Sequence, residues 1–302
     1  TGKDHDVDVL NASSGAKVRS FRGHANVVNT LALSHDGKFV VSTDFDARVK
    51  LWDLSTATEI RSFYGPAGHI DSLAFSKDDR RMVTTSRDGT TRIWDVQQGR
   101  ELARFVSFAD GEWIAMTPEG YYNASDRADA YVNVRMGRRV YGIENFREAF
   151  FRPDLVQVSL SGGSLRDFMG IADVKQPPSV NFLDTPETVD TDRVTVKLQV
   201  RDNGGGIGDI RLYLNGTAVA LDSRALKRVA PEGGDDLVRT YEVALSSGDN
   251  ILKALAFNEE NTAQGQESVL KILSSAVPVS APSLHALVIG IDEFANPKLK
   301  LA

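Results

Sequence analysis

"VKLWDLSTATEIRSF" at residues 49–63 and "TRIWDVQQGRELARF" at 91–105 superimpose without a gap, which places Trp52-Asp53 over Trp94-Asp95 at a spacing of 42 residues. A fixed period of that length marks a supersecondary unit repeated along the chain, each copy burying its apolar face against the next. One more step back from Trp52 lands on Leu10, inside "DVDVLNASSGAKVRSF", where the alternation persists and Leu10-Asn11 stands for Trp-Asp. Gly23-His24 and Gly68-His69 precede the two complete copies. Between these pairs and Trp-Asp lie "LALSHDGKFVVST" and "LAFSKDDRRMVTT", each read as a strand, a polar turn and a second strand, because apolar residues alternate at period two on either side of the turn.

A leading Gly-His, a trailing Trp-Asp and a 42-residue period resemble the WD-repeat β-propeller, whose blades have four antiparallel strands. The resemblance implies a hydrogen-bonded chain in each blade running through a His, a hydroxyl, an Asp in the tight turn and the Trp indole. In the second repeat this assigns His69, Ser86, Asp88 and Trp94 to the chain; in the first it assigns His24, Asp46 and Trp52, with Asp44 where the hydroxyl is expected. A third, degenerate blade is expected from "WIAMTPEGYYNAS" (113–125) and "DAYVNVRMGRRVYGI" (129–143), which lack both signature pairs. Residues 1–142 are thus read as the last strand of one blade, two full blades and one degenerate blade. Rings close with about four to eight blades, so upstream blades or a second copy are expected to complete this one, and the chain is expected to begin in mid-blade.

Residues 143–176 read as a helical connector and joint, with Ile143, Phe146, Phe150 and Phe151 on one helical face and Pro153 ending the run. From 177 to 273 the pattern is strand after strand, with Asn215-Gly216 at a hairpin turn, and suits an immunoglobulin-like β-sandwich of the cysteine-free kind. A Ser/Pro-rich linker follows at 274–283. The expected class is mostly β: partial propeller, then sandwich, then a short α/β-type terminal segment.

Composition narrows the function. The 302 residues carry a formal net charge of −6, which does not supply a broad cationic surface for nucleic acid. Cysteine is absent, so disulfides, thiolate metal sites and a cysteine nucleophile are excluded within the chain. No membrane span is expected, since no run of eighteen apolar residues exists. The local candidates for chemistry all have plainer readings. "DNGGGIG" (202–208) is followed by a strand rather than a helix, so it reads as a turn and not a phosphate loop. "DHDVD" (4–8) splits His5 from Asp4 and Asp6 across a strand and reads as a solvated edge. Asp249, Asn250, Glu259, Glu260 and Asn261 read as turn residues rather than calcium ligands, and "RMGRRV" (135–140), with Arg147 and Arg152, as a basic cluster paired with local acids or docking an acidic partner. No catalytic, cofactor or metal residue is assigned.

The closing stretch "ALVIGIDEFANPKLKLA" (286–302) is similar to the first strand and following loop of the caspase-like cysteine peptidases of bacteria, the metacaspase-related group. With the repeats and the "DGEWIAMTPEGYYNAS…VYGIENFREAFFRPDLV" segment, the whole order resembles bacterial WD-repeat caspase-like proteins. That resemblance implies a catalytic His and Cys beyond Ala302, so residues 284–302 would be the first strand of a domain that continues, and both ends of the chain are expected to be cut edges. The chain is then expected to be the non-catalytic interaction and regulatory region of such a peptidase, binding protein partners at its propeller loops; a stand-alone adaptor with no link to proteolysis is the alternative.

Overall fold

The computed structural model describes residues 5–222 and 236–276; the expected linker from 277 onward and the caspase-like segment at 284–302 lie outside the described residues. The first region follows the 42-residue period closely. β1 (Val7–Leu10) and β2 (Lys17–Phe21) form an antiparallel pair, and β3 (Val28–Leu33), β4 (Phe39–Asp44), β5 (Val49–Asp53) and β6 (Glu59–Phe63) form a four-stranded meander. β7 (Ile70–Phe75), β8 (Arg81–Ser86), β9 (Thr90–Asp95) and β10 (Arg100–Ser107) repeat that meander. Residues 7–21 therefore hold the last two strands of a blade, where the sequence reading expected only the last.

Local chemistry sets the turns. The Ser34 hydroxyl donates to Asp36 and accepts the amides of Lys38 and Phe39, and Ser76 with Asp78 and Arg81 repeats the device. The Asp of each Trp-Asp pair caps the following turn: Asp53 accepts the amides of Ser55 and Thr56, and Asp95 accepts that of Gln98. Asn11 keeps the acceptor in the eroded copy, taking the amides of Ser13 and Ser14.

Blades stack through apolar faces in a repeating arrangement. Val41, Val49, Leu51 and Phe63 of one blade meet Ile70, Leu73, Phe75, Met82 and Trp94 of the next. One repeat earlier, Val7 and Phe21 meet Val28, Val40 and Trp52.

The expected degenerate blade does not form a sheet of its own. β11 (Trp113–Met116) and β12 (Tyr122–Ala124) add antiparallel to the outer edge of β10 and make the second blade six-stranded. β13 (Asn133–Met136) and β14 (Arg139–Gly142) form a separate hairpin. A free outer edge is open to any strand that follows closely in sequence, and the short Phe108–Glu112 turn delivers β11 to it.

A 3₁₀ turn at Ile143–Phe146 runs into α1 (Arg147–Phe150), and Ile143, Phe146 and Phe150 are buried as their spacing suggests. Pro153 does not end the helical stretch. It begins α2 (Pro153–Leu160) at the first helical position, where its missing N–H costs nothing. The Ser159 hydroxyl of α2 donates to the Leu102 carbonyl at 2.6 Å, and Arg100 donates to the carbonyls of Gly162 and Gly163, so this helix lies against the outer part of the second blade.

The region from 177 is a two-sheet β-sandwich. One sheet is β15 (Ser179–Leu183), β17 (Arg193–Arg201) and β20 (Asp236–Ala244), in the order β15-β17-β20. The other contains β16 (Thr188–Val189), β18 (Ile210–Leu214), β19 (Thr217–Asp222), β21 (Gly248–Ala256) and β22 (Ser268–Ser274), in the order β16-β22-β21-β18-β19. The core takes alternate residues: Val194, Val196, Leu198 and Val200 from one sheet face Ile210, Leu212, Leu252, Ala254 and Ile272 from the other. Asn215 and Gly216 both adopt positive φ, 50° and 83°, as a two-residue hairpin requires. The connector grips this unit: Asn145 exchanges hydrogen bonds with the backbone of Gln264, and Glu148 pairs with Arg211.

Candidate functional site

The polar chain inside the first blade is complete: it runs through His24 and Trp52 as expected, but its hydroxyl and its acid come from residues other than those expected. The Trp52 indole N–H donates to the Ser42 hydroxyl at 2.8 Å, which donates to His24 Nε2 at 2.7 Å. His24 Nδ1–H donates to Asp44 at 2.9 Å, and the other oxygen of Asp44 accepts the amides of Asp46 and Arg48. Donor and acceptor roles close only for a neutral ring carrying its proton on Nδ1. Burial pushes the His24 imidazole below its ordinary value against the pull of the Asp44 carboxylate, which agrees with that assignment. Ser42 thus supplies the hydroxyl, and Asp44 is the terminal acceptor rather than a defect. Asp46 stands outside the chain, its carboxylate accepting from the exposed Asn26 amide.

In the second blade the chain is cut short. Trp94 donates to Thr84 at 2.9 Å, not to Ser86, whose hydroxyl turns to the Gly68 carbonyl. His69 lies beside Asp71 at 3.2 Å with its ring 4.7 Å from that of Phe45, and its Nε2 is buried with no partner. Register explains the difference. The Phe45 amide donates to the Val27 carbonyl and the Arg87 amide to the His69 carbonyl, so His69 is the repeat equivalent of Val27, and Pro66 occupies the position of His24.

An ionic network takes the place of the relay. Arg92, almost wholly buried, donates to Asp88 at 3.1 Å, to Glu101 at 2.9 Å and to the Thr90 hydroxyl at 3.0 Å. Burial alone would raise the Asp88 carboxyl. Donation from the Thr90 hydroxyl and the Ala67 and Thr90 amides, with the Arg92 charge, outweighs it and holds Asp88 at about 2. The first blade carries the same pair as Lys50–Glu59 at 2.6 Å, and β1–β2 carries it with the signs exchanged as Asp8–Lys17 at 2.9 Å. These residues, like Ser42 and Thr84, sit 42 apart in the sequence and were legible as a repeating charge and hydroxyl signal.

The other sequence candidates are used locally. Asp6 pairs with Arg22 across the first hairpin, and Asp202 accepts the amides of Gly204 and Gly206 in its turn. Asn250 is buried and bonded to the backbone of Ser246 and Gly248. Arg147 pairs with Asp129 and Arg152 with Asp154. Among the described residues no group of three His, Cys, Asp or Glu is placed to hold a metal ion, and no helix is long and apolar enough to cross a membrane.

What the blades do present is a rim. Strand direction puts the turn after β4, the turn after β8 and the loop between β6 and β7 at one end of the two blades. There Phe45 and Tyr64 are 53% and 77% exposed, and Val27, also exposed, is tied to Phe45 by the backbone bond noted above. Arg87 and Asp71 pair at 2.9 Å on the same rim.

Residues 15–53 and 57–95 match the family described as "WD domain, G-beta repeat", so these two segments are WD40 repeats. Over 51 residues the chain is 35% identical to human WD repeat-containing protein 36, a stretch that is 17% of this chain and 6% of that protein. Among solved structures, it is similar to the WD40 β-propeller domain of Doa1 at 19% identity and a TM-score of 0.31, over 41% of this chain and 44% of that one.

Proposed function

We propose that the WD40 blades are a protein-interaction scaffold that takes an extended or looped segment of a partner at the rim formed by Val27, Phe45, Tyr64 and His69. The observation that carries this reading is the pair of exposed aromatic rings at one rim, Tyr64 directly after the end of β6 and Phe45 on a short turn whose backbone is tied to Val27. Rings held that way contribute large contact area at little cost in ordering. The double variant Phe45→Ala/Tyr64→Ala tests it: proteins retained by the immobilised chain from an extract of the source cells are lost, while circular dichroism and melting are unchanged. Retention unaffected by the double variant refutes the rim as the site.

The finer reading is that this scaffold serves a bacterial caspase-like cysteine peptidase, with the sandwich as an immunoglobulin-like spacer between the blades and the catalytic domain. It rests on the resemblance of residues 286–302 and of the 111–156 segment given above. On this reading the chain itself is inert towards peptides, and the gene encodes a His and a Cys at caspase-like positions after residue 302. Hydrolysis of an Arg- or Lys-ended fluorogenic peptide by the purified chain, or a gene without those residues, refutes the link to proteolysis and leaves the rim scaffold standing.

A further inference from the structure

β13 and β14 pair only with each other, and one face of the hairpin anchors it. Directly opposed residues of an antiparallel pair share a face, so Val134 and Tyr141 lie on the inner face with Met136 and Arg139. Val134, Met136 and Tyr141 pack at the margin of the core built on Ile143, Phe146 and Phe150, while Arg139, next to the tip, stays exposed. Arg135 and Val140 are the opposed pair on the outer face, and both are exposed. Gly137, at φ 61°, and Arg138 make the two-residue turn.

Two features of this tip have no use inside the chain. The first is charge. Among the described residues Arg135, Arg138 and Arg139 have no ion pair and no side-chain hydrogen bond, although all three are exposed. The acids nearest in sequence are turned elsewhere: Asp129 holds Arg147, and the Glu144 carboxylate lies over Gly142. Local acids therefore account for Arg147 and Arg152 but not for these three, and in a chain of net charge −6 they form a local reversal of field. The second is a strand edge. A two-residue turn makes Met136–Arg139 and Val134–Tyr141 the hydrogen-bonded pairs, so the N–H and C=O of Val140 point away from β13, and no described backbone group bonds to them. Gln176 sits at the corner of β13, donating to the Met136 carbonyl at 3.1 Å, which leaves β14 as the open edge.

We infer that the tip of this hairpin docks an extended acidic segment of a partner protein. One residue of the segment exchanges backbone hydrogen bonds with Val140, and its neighbours present carboxylates to Arg135, Arg138 and Arg139. Arg135 and Arg139 lie on opposite faces, and successive side chains of a strand do too, so the acids stand at consecutive positions. Phosphate groups fit less well, because they carry acceptors only and leave the Val140 carbonyl unmet. The site is separate from the aromatic rim and rests on no part of that reading.

The test is fluorescence anisotropy of fluorescein-labelled octaglutamate with the purified chain at about 50 mM salt. Arg138→Glu/Arg139→Glu weakens binding at least about tenfold and Arg135→Gln about threefold, with melting temperatures within about 1 °C of the original. Arg80→Glu/Arg81→Glu, which changes two adjacent exposed arginines elsewhere, and Phe45→Ala/Tyr64→Ala each alter it by less than about twofold. Octaglutamate N-methylated at alternate residues keeps the charge, loses strand donors and binds about tenfold more weakly. Bound octaglutamate slows exchange of the Val140 amide about tenfold. The inference is overturned if octaglutamate at about 1 mM does not bind. It is equally overturned if Arg80→Glu/Arg81→Glu costs as much as the tip variant, if N-methylation has no effect, or if the Val140 amide gains no protection. Tighter binding of an eight-nucleotide single-stranded DNA than of octaglutamate would make the tip a nucleic-acid contact and overturn it as well.

Discussion

Removing one oxygen from the first blade, by Ser42→Ala, tests the reading of its polar chain. The Ser42 hydroxyl accepts from Trp52 at 2.8 Å and donates to His24 at 2.7 Å, and all three side chains are buried. Its loss orphans a buried indole donor and a buried imidazole acceptor, each worth about 1–3 kcal/mol, for a total of about 2–6 kcal/mol. Thr84→Val in the second blade is the matched control, because it keeps the side-chain shape and orphans only the Trp94 indole, at about 1–3 kcal/mol. Urea unfolding followed by tryptophan emission reads both, since Trp52, Trp94 and Trp113 all lie in the blade region. A Ser42→Ala cost below about 1 kcal/mol, or one no larger than that of Thr84→Val, would refute the account of a continuous relay in the first blade.

Acid should weaken the blades in two stages. The His24 pKa is depressed by burial, so the unfolded chain takes up the proton first, and stability present above about 6.5 is lost as pH falls below that value; His24→Asn removes this stage in a urea titration across pH 5 to 8. Asp88 is depressed from the usual 3.8 to about 2, so its contribution is present above 3.8 and is lost as pH falls through about 2, a stage that Asp88→Asn flattens. Arg92→Met takes the Arg92 cation from the buried carboxylates of Asp88 and Glu101, of which Glu101 keeps Arg104, and should cost about 3–5 kcal/mol in the same assay, whereas Arg92→Lys recovers part of it. Gly120 has φ +98°, and a Cβ there would lie 2.4 Å from Ile171 Cγ2. Gly120→Ala should therefore cost about 2 kcal/mol by thermal melting, with partial relief when Ile171→Ala is added.

The repeat itself, the strands it contains and the turns between them were legible in the chain, because each depends on residues close in sequence. Period-two alternation marks β3 to β10, the Ser and Asp residues of the turns bond to amides two to five positions away, and the Trp-Asp pairs set the register of 42. The partners of buried polar groups were not legible in this way. The first blade's hydroxyl comes from Ser42 and its terminal acid from Asp44, and the second blade has Pro66 at the histidine position, with His69 three residues later. A Gly-His pair in roughly the right place reads as the signature, yet an insertion-free register shifts it out of reach, and only the strand pairing reveals that.

Sequence alone determined the blade unit and the two-faced strands of the sandwich, since backbone geometry and alternation decide which side chains share a face. Tertiary structure alone decided which face meets which. It sent β11 and β12 to the edge of β10, gave Asp88 and Glu101 a shared arginine, and left Leu31 and Leu33 bare where Leu73 and Phe75 are covered. The physical reason is that burial and hydrogen-bond pairing belong to both surfaces at once, and the second surface is contributed by residues far away along the chain.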